Sequence, residues 1–159
     1  MKFRIAMDSA GELTDDLKNR EEYVIVPLTL QIGGEEIVDD GTLSQGVLVK
    51  KIAESPACPK SACPSPEAYR AAYDCEAEHI FGITISAELS GSYQSAVIGM
   101  NLYLEDHPEA KIHVFNSRST SVGELLIILK IKELEEENLS FDEIVEKTET
   151  YIAGRNTIF

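Results

Sequence analysis

The chain has 159 residues, of which 43% are hydrophobic and 26% are charged, and its formal net charge at pH 7 is −14. This length and composition predict one globular domain over residues 1–159 with a sizeable core. The negative charge disfavours nucleic acid and anionic lipid headgroups, so a protein or small-molecule partner is expected. No apolar run approaches the roughly 18 residues that a membrane span needs, and no integral membrane segment is expected.

Hydrophobic patterning predicts strands that alternate with helices. The first half is predicted to contain a strand at 3–7, a short helix at 13–21, a strand at 23–30, a turn and extra strand at 31–38, and a helix at 43–54. Pro27 places the strand at 23–30 at an edge or at a bulge, and Thr42 is the predicted cap of the helix at 43–54. The second half is predicted to contain a helix at 66–77, a strand at 80–85, a helix from Ser92, a strand at 111–115, a helix at 121–137 and a last helix from Ser140 to about 153. The end, 156–159, resembles the start of another strand. This alternation predicts an α/β fold with a mainly parallel sheet and helices on both faces.

Three stretches carry more detailed predictions. In the helix at 121–137, the residues expected to face the core are Val122, Leu125, Leu126 and Leu129. The acidic run at 133–137 in the same helix is expected to be a solvated face. Ser140 and Glu143 have the spacing of a capping box at the start of the last helix.

The start of the chain and its thiols predict a cytoplasmic location. Residues 1–4 lead directly into a predicted strand and lack the pattern of a signal peptide. The cysteines are Cys58, Cys63 and Cys75, an odd number that fits reduced thiols. Because Cys75 is the only other thiol and no histidine is near Cys58 and Cys63, no metal site is expected. No cofactor is expected either.

The segment 80–96 is the centre of the functional prediction. A buried strand leads through small polar residues to a helix that begins near Ser92. The first N–H groups of a helix have no partner inside it and favour an anion. Ser90 and Ser92 can donate to the same anion, and Gly91 permits close approach. The alternative is an ordinary N-cap role for one serine, which local spacing alone favours.

Polar residues also follow two other predicted strands. Asp8 and Ser9 come after the first strand, and Ser117 follows the strand at 111–115. The carboxyl ends of parallel strands meet at one edge of a sheet, where ligands bind. The proline-rich loop at 55–66, which contains Ser61, could reach the same edge. The alternative is that turns after strands favour Asp, Asn and Ser for local hydrogen bonding alone.

The sequence has few candidates for catalysis. None of the three histidines, His79, His107 and His113, lies in a serine-rich turn. No G-x-S-x-G elbow, Walker A motif or dinucleotide glycine pattern occurs. No catalytic residue is therefore assigned.

Five motifs, in this order along the chain, carry a resemblance to the DegV family of bacterial fatty-acid-binding proteins. They are Asp8–Ala10, Val26–Leu28, Ser61–Pro66, Ile85–Ala96 and Asn116–Ser119, and the part at Leu89–Ala96 is the most specific. Members of this family have two domains. The resemblance implies that 1–159 is the first domain of a two-domain fold whose second domain is absent. It also implies a carrier and not an enzyme.

The resemblance also implies a ligand. In the family, the carboxylate of a long-chain fatty acid lies near two motifs that fall on Ser61 and Ser90. The carrier presents this carboxylate to a fatty-acid kinase, which makes acyl phosphate for phospholipid synthesis. Here Ser61 replaces the usual Thr, and Ala62-Cys63 replaces Ser-Gln. The candidate ligand-binding residues are Asp8, Ser9, Ser61, Ser90, Gly91, Ser92 and Ser117.

Two further expectations accompany this interpretation. The competing function is an enzyme of phosphoester or phosphoryl-transfer chemistry that uses the same anion site. A first domain without its second domain is also expected to expose an apolar face and to self-associate.

Overall fold

The computed structural model describes residues 1–42 and 44–155. Its strands are β1 (Phe3–Asp8), β2 (Tyr23–Val26), β3 (Thr29–Ile32), β4 (Glu35–Val38), β5 (Lys60–Ala62), β6 (His79–Thr84) and β7 (Ile112–Asn116). Its helices are α1 (Asp15–Lys18), α2 (Gln45–Glu54), α3 (Pro66–Tyr73), α4 (Ser92–Asp106), α5 (Val122–Glu136) and α6 (Phe141–Ala153). No helix in the described residues is long and apolar enough to cross a membrane.

Among the described residues, the main sheet has four strands in the order β2-β1-β6-β7. All three strand pairs are parallel, with Met7 of β1 opposite Ile25 of β2 and Ile83 of β6. A smaller antiparallel sheet has the order β4-β3-β5. The predicted α/β class with a mainly parallel sheet is confirmed.

Helices cover both faces of the main sheet, as predicted. On one face, α1, α5 and α6 pack on strand residues such as Ile5 and Phe81. On the other face, α3 and α4 pack around Tyr69, Tyr73 and Ala96. Helix α2 has no buried residue and lies outside both clusters. The two cores therefore depend on five helices, and α2 is peripheral.

Helices α3 and α4 approach each other closely at Gly99. A Cβ at this position would lie 2.6 Å from the carbonyl oxygen of Pro66 and 2.8 Å from Cβ of Tyr69. These atoms belong to the backbone or to its first side-chain carbon, so they cannot rotate away. We expect Gly99→Ala to lower the free energy of unfolding by about 1–3 kcal/mol, as overpacking does elsewhere.

Urea denaturation measures this effect, with Gly46→Ala as the matched control. Gly46 lies inside α2, and a Cβ there would meet nothing within 4 Å. The control is expected to raise the free energy of unfolding by about 0.5–1 kcal/mol because alanine has the higher helix propensity. Equal effects of the two substitutions would contradict the close approach.

Several predicted boundaries are wrong. The strand predicted at 23–30 is divided into β2 and β3 at Pro27, which has no N–H to donate to a ladder. The short helix covers Asp15–Lys18 and not 13–21, and α3 ends at Tyr73 and not at 77. Ser44, and not Thr42, caps α2 by accepting a hydrogen bond from the Val47 amide.

The prediction of which side of α5 faces the core is also largely wrong. Val122, Leu126 and Leu129 are exposed, and Leu125 is half-buried. The buried apolar residues of α5 are Ile127, Ile128, Ile131 and Leu134. Apolar residues lie on most sides of the first turns of α5, so their spacing alone does not show which side faces the core.

The capping box predicted at the start of the last helix is confirmed at the start of α6. The Ser140 hydroxyl accepts a hydrogen bond from the Glu143 amide, and the Glu143 carboxylate accepts one from the Ser140 amide at 3.0 Å. The strand expected to begin at 156–159 lies outside the described residues.

Candidate functional site

Hydrogen bonds join the loops that follow β1, β6 and β7 at one edge of the main sheet. The Asp8 carboxylate accepts the Ile85 amide at 3.0 Å, which links the ends of β1 and β6. The Ser86 amide donates to the Ser119 carbonyl at 2.8 Å, which links the loops after β6 and β7. The carboxyl ends of these three strands thus form one polar edge, as predicted for a parallel sheet.

The turn between β6 and α4 ends at Gly91, which occupies the N-cap position of α4 without a side-chain cap. The Ser90 hydroxyl accepts the Ser92 amide at 3.2 Å and lies 3.1 Å from the Ser92 hydroxyl. The alternative that Ser90 or Ser92 is the N-cap is therefore wrong, although Ser90 does accept a local hydrogen bond from the first helical amide. The next two amides, of Tyr93 and Gln94, have no partner inside the helix by their position. The start of α4 can still donate to an anion.

Beneath this turn lies a buried polar cluster of four side chains, defined as Asp8, Tyr69, Ser92 and Glu124, none of which is exposed to solvent. The Ser92 hydroxyl donates towards the Asp8 carboxylate and stabilises its charged form. The Tyr69 hydroxyl interacts with Ser92. The cluster joins the end of β1 to the starts of α4 and α5 and to α3.

Burial sets the protonation of this cluster. Burial raises the pKa of Glu124 to about 9, and the adjacent Asp8 carboxylate adds to the rise. Burial also raises the pKa of Asp8, whereas the hydrogen bonds from the Ile85 and Ala10 amides lower it. The two carboxyls interact, although neither oxygen of Glu124 lies at ordinary hydrogen-bond distance from a partner in the described residues. At neutral pH, Glu124 is therefore protonated.

Sequence analysis missed both Glu124 and Tyr69. Glu124 follows the apolar Val122 in a helix whose other acidic residues are mostly exposed, and no local pattern marks it as buried. Gly11 contributes to its burial, since a Cβ there would lie 2.9 Å from a Glu124 carboxyl oxygen. Asp8 and Glu124 are far apart in the sequence, so only their contact in the folded chain could have identified them as a pair.

Ser61 lies at the centre of β5, opposite Leu30 of β3, and is exposed. The described contact between its loop and the serine turn is made by Cys63 instead. A Cβ at Gly91 would lie 3.2 Å from Sγ of Cys63, which is 3.8 Å from the Ser95 hydroxyl. The proline-rich loop thus reaches the start of α4.

The remaining candidates have local partners. The Ser9 hydroxyl accepts the Leu28 amide at 3.0 Å and so holds the chain as it leaves β2. The Ser117 hydroxyl donates to the Ser119 carbonyl at 3.0 Å and shapes the loop after β7. Both side chains support the polar edge from within the loops.

A cavity of about 620 Å³ opens beside the end of β1. Its wall contains Leu13 and Ile25, together with the acidic residues Glu12, Asp39 and Asp40. Within residues 1–42 and 44–155, no group of three or more His, Cys, Asp or Glu side chains could hold a metal ion. All three cysteines are free thiols.

Comparison with protein families gives a match over residues 2–159 to the model described as "Uncharacterised protein, DegV family". The chain belongs to the DegV family. A DegV domain-containing protein of Streptococcus gordonii is 37% identical over 161 residues, which cover 100% of this chain and 57% of that protein. One from Streptococcus pneumoniae is 41% identical over 137 residues, covering 86% of this chain and 48% of that protein. The chain spans about half the length of these DegV relatives.

Solved DegV structures have the same fold. A DegV family protein from Ruminococcus gnavus, refined with vaccenic acid, is 50% identical with a TM-score of 0.93 and covers 96% of this chain and 55% of that chain. The Streptococcus pneumoniae Fatty Acid Kinase (Fak) B3 protein, loaded with linoleic acid, is 37% identical with a TM-score of 0.85 and covers the same shares. A fatty-acid-binding DegV protein from Thermus thermophilus is 28% identical with a TM-score of 0.82, covering 96% of this chain and 54% of that chain.

Proposed function

We propose that this DegV chain binds the carboxylate of a long-chain fatty acid at the start of α4. The observation that carries the proposal is the start of α4, where no side chain caps the helix after Ser90 and Gly91. A DegV structure that is 50% identical to this chain, and has the same fold, was refined with vaccenic acid. A buried carboxylate needs several donors, and amides at a helix start supply them together with a favourable dipole.

The donors that we assign to the carboxylate are the free amides at the start of α4 and the hydroxyls of Ser90 and Ser61. Ser90 is partly buried beside the turn, and Ser61 is exposed on β5. The contact of Cys63 with Gly91 supports the approach of the Ser61 loop to the turn. The net charge of −14 disfavours binding of an anion. The hydrogen bonds from these donors must therefore outweigh the repulsion between the anion and the negatively charged chain.

The acyl chain needs an apolar channel, in which each buried CH₂ contributes about 0.8 kcal/mol. The cavity beside β1 has an apolar side at Leu13 and Ile25 but also three acidic residues. We therefore propose that a second domain, corresponding to the other half of the longer relatives, completes the channel. The chain is then the first domain of a two-domain carrier.

We further propose that the carrier works in the cytoplasm and presents the carboxylate to a fatty-acid kinase. The name of the Streptococcus pneumoniae relative, a fatty acid kinase B3 protein, supports this partner. A carrier needs no general base, and the polar edge supplies donors and no histidine. The expected self-association stays a prediction, for which the exposed Val122, Leu126 and Leu129 provide an apolar surface on α5.

We expect Ser90→Ala to weaken binding of cis-parinaric acid, a fluorescent fatty acid, because a hydrogen bond to a charged group contributes about 1.5–3 kcal/mol. This corresponds to a rise in Kd of about 10-fold or more. Fluorescence titration measures the Kd, and denaturing extraction with mass spectrometry identifies any lipid that copurifies.

The matched control is Ser44→Ala, which removes the N-cap serine of α2, a helix with no buried residue. It is expected to leave the Kd unchanged. Absence of fatty-acid binding in the unsubstituted chain, or an unchanged Kd in Ser90→Ala, would contradict the proposed site.

A further inference from the structure

We propose that Glu124 is a positioning residue, whose carboxyl packs against the loop at Gly11 and so keeps Asp8 and, through Asp8, the serine turn in the geometry that receives a carboxylate. This inference rests on the proposed function. It assigns a role to a side chain that is fully buried in the first turn of α5, the helix that packs on the face of the sheet opposite α3 and α4.

The first step of the argument is connectivity. Asp8 accepts the Ile85 amide at the point where the chain leaves β6 for the turn. Asp8 also interacts with the hydroxyl of Ser92, the first residue of α4, and Ser92 lies 3.1 Å from the Ser90 hydroxyl. A displacement of the Asp8 carboxylate would therefore move both ends of the turn.

The second step is packing. The Glu124 carboxyl lies against Gly11, where a Cβ would come within 2.9 Å of its oxygen. The loop that contains Gly11 is joined to the start of α5, because the Ser121 amide donates to the Ala10 carbonyl at 3.1 Å. Ala10 in turn donates its amide to Asp8 at 3.2 Å. Glu124 and Asp8 thus occupy one rigid junction between β1 and α5.

The third step is charge. With Glu124 neutral, the pair has at most one negative charge, and with both ionised it has two beneath the turn. A second buried negative charge would repel Asp8 and would disfavour a fatty-acid carboxylate at the start of α4. The positioning role therefore belongs to the protonated carboxyl.

The groups around Glu124 support this assignment. Asp8 faces it from β1, and the Ser121 backbone faces it from the start of its own helix. A charge on Glu124 would in turn raise the pKa of Tyr69 on α3. Within residues 1–42 and 44–155, no lysine or arginine forms an ion pair with either carboxyl. The Arg155 guanidinium is the cation beside the neighbouring residue, where it donates to the Gly123 carbonyl at 3.0 Å instead of pairing with either carboxyl.

Binding of cis-parinaric acid to the full chain provides the first test. We expect Glu124→Ala to raise the Kd at pH 7 at least 10-fold, and Glu124→Gln, which keeps a neutral polar group of the same shape, to restore most of the affinity. Between pH 7 and pH 10, the Kd of the unsubstituted chain and the Kd of Glu124→Gln are each expressed as a fold-increase. The fold-increase of the unsubstituted chain should be at least five times that of Glu124→Gln. Changes in the ionisation of the ligand itself cancel in this comparison. Glu133→Gln, an exposed position on the same helix, is the control and should follow the unsubstituted chain.

The second test does not need a ligand. The Ile85 amide resonance reports on Asp8, and in NMR spectra it should shift with increasing pH in the unsubstituted chain and in Glu133→Gln, but not in Glu124→Gln. If Ile85 follows the same pH profile in Glu124→Gln, the positioning role is wrong, whether or not fatty acid binds. If Ile85 behaves as expected but no variant binds fatty acid at pH 7, the proposed function fails while the link from Glu124 to Asp8 stands. Equal Kd values for Glu124→Ala and the unsubstituted chain would also overturn the inference.

Discussion

Replacing Glu135 by alanine is expected to lower the free energy of unfolding by about 3–5 kcal/mol, because it leaves a buried polar partner without its hydrogen bond and opens a cavity. The Glu135 carboxylate lies 2.6 Å from Nδ1 of His79, and both side chains are buried. The second carboxyl oxygen lies 3.5 Å from the Lys2 ammonium group. The substitution would leave a buried imidazole without its partner and a cavity at the end of α5.

Urea denaturation measures this loss, and Glu133→Ala is the matched control on the same helix. Glu133 is exposed and pairs with Lys130 on the surface, a contact worth about 1 kcal/mol or less. His79→Ala and the double variant complete a thermodynamic cycle, in which the double variant should lose less stability than the sum of the single variants. Equal effects of the Glu133 and Glu135 substitutions would show that the buried contact does not stabilise the fold.

The contrast between Glu133 and Glu135 also shows where sequence patterning stops being informative. The acidic run at 133–137 was expected to be solvated as a whole, yet Glu135 is only 1% exposed. Its burial depends on His79, which is far away in the sequence and adjacent only because β6 begins beside the end of α5. A helical face can be predicted from spacing, but a charged residue inside that face needs a partner that spacing does not reveal.

The local signals of the sequence predicted the parts of the fold that depend on local chemistry. The start of α4 at Ser92 and the capping box at Ser140 follow from residue types within one helical turn, and both are found. The convergence of the strand ends follows from the parallel order of the sheet, which alternation predicts. In contrast, the small sheet around β5 depends on an antiparallel pairing of Ser61 with Leu30, for which the sequence has no local signal.

The candidate site divides in the same way. Ser90 and Gly91 were identified from the turn that precedes a helix. Glu124 was not, because its importance depends on Asp8, with which it shares a buried junction of the folded chain. Both acids lie at the ends of elements that only the sheet topology brings together.

Glu124→Gln is expected to change the dependence of stability on pH strongly, because the pKa of Glu124 is far above its ordinary value. The pKa of Glu124 is about 9 in the folded chain, compared with an ordinary value of 4.5 that we take for the unfolded chain. Between these two values, the folded state retains a proton that the unfolded state has lost. Rising pH therefore favours unfolding, by at most about 1.4 kcal/mol per pH unit for one proton.

The amide of glutamine does not titrate, so Glu124→Gln lacks this loss while the neighbouring Asp8 is kept. The free energy of unfolding of Glu124→Gln minus that of the unsubstituted chain should thus increase steadily from pH 5 to pH 8, by about 2–4 kcal/mol in total. Urea denaturation at matched pH values measures this difference, and Glu133→Gln serves as the exposed control with a nearly constant difference. A difference that does not change with pH would mean that Glu124 is ionised in the folded chain. The cluster would then contain two buried negative charges without a cation, an arrangement that burial strongly disfavours.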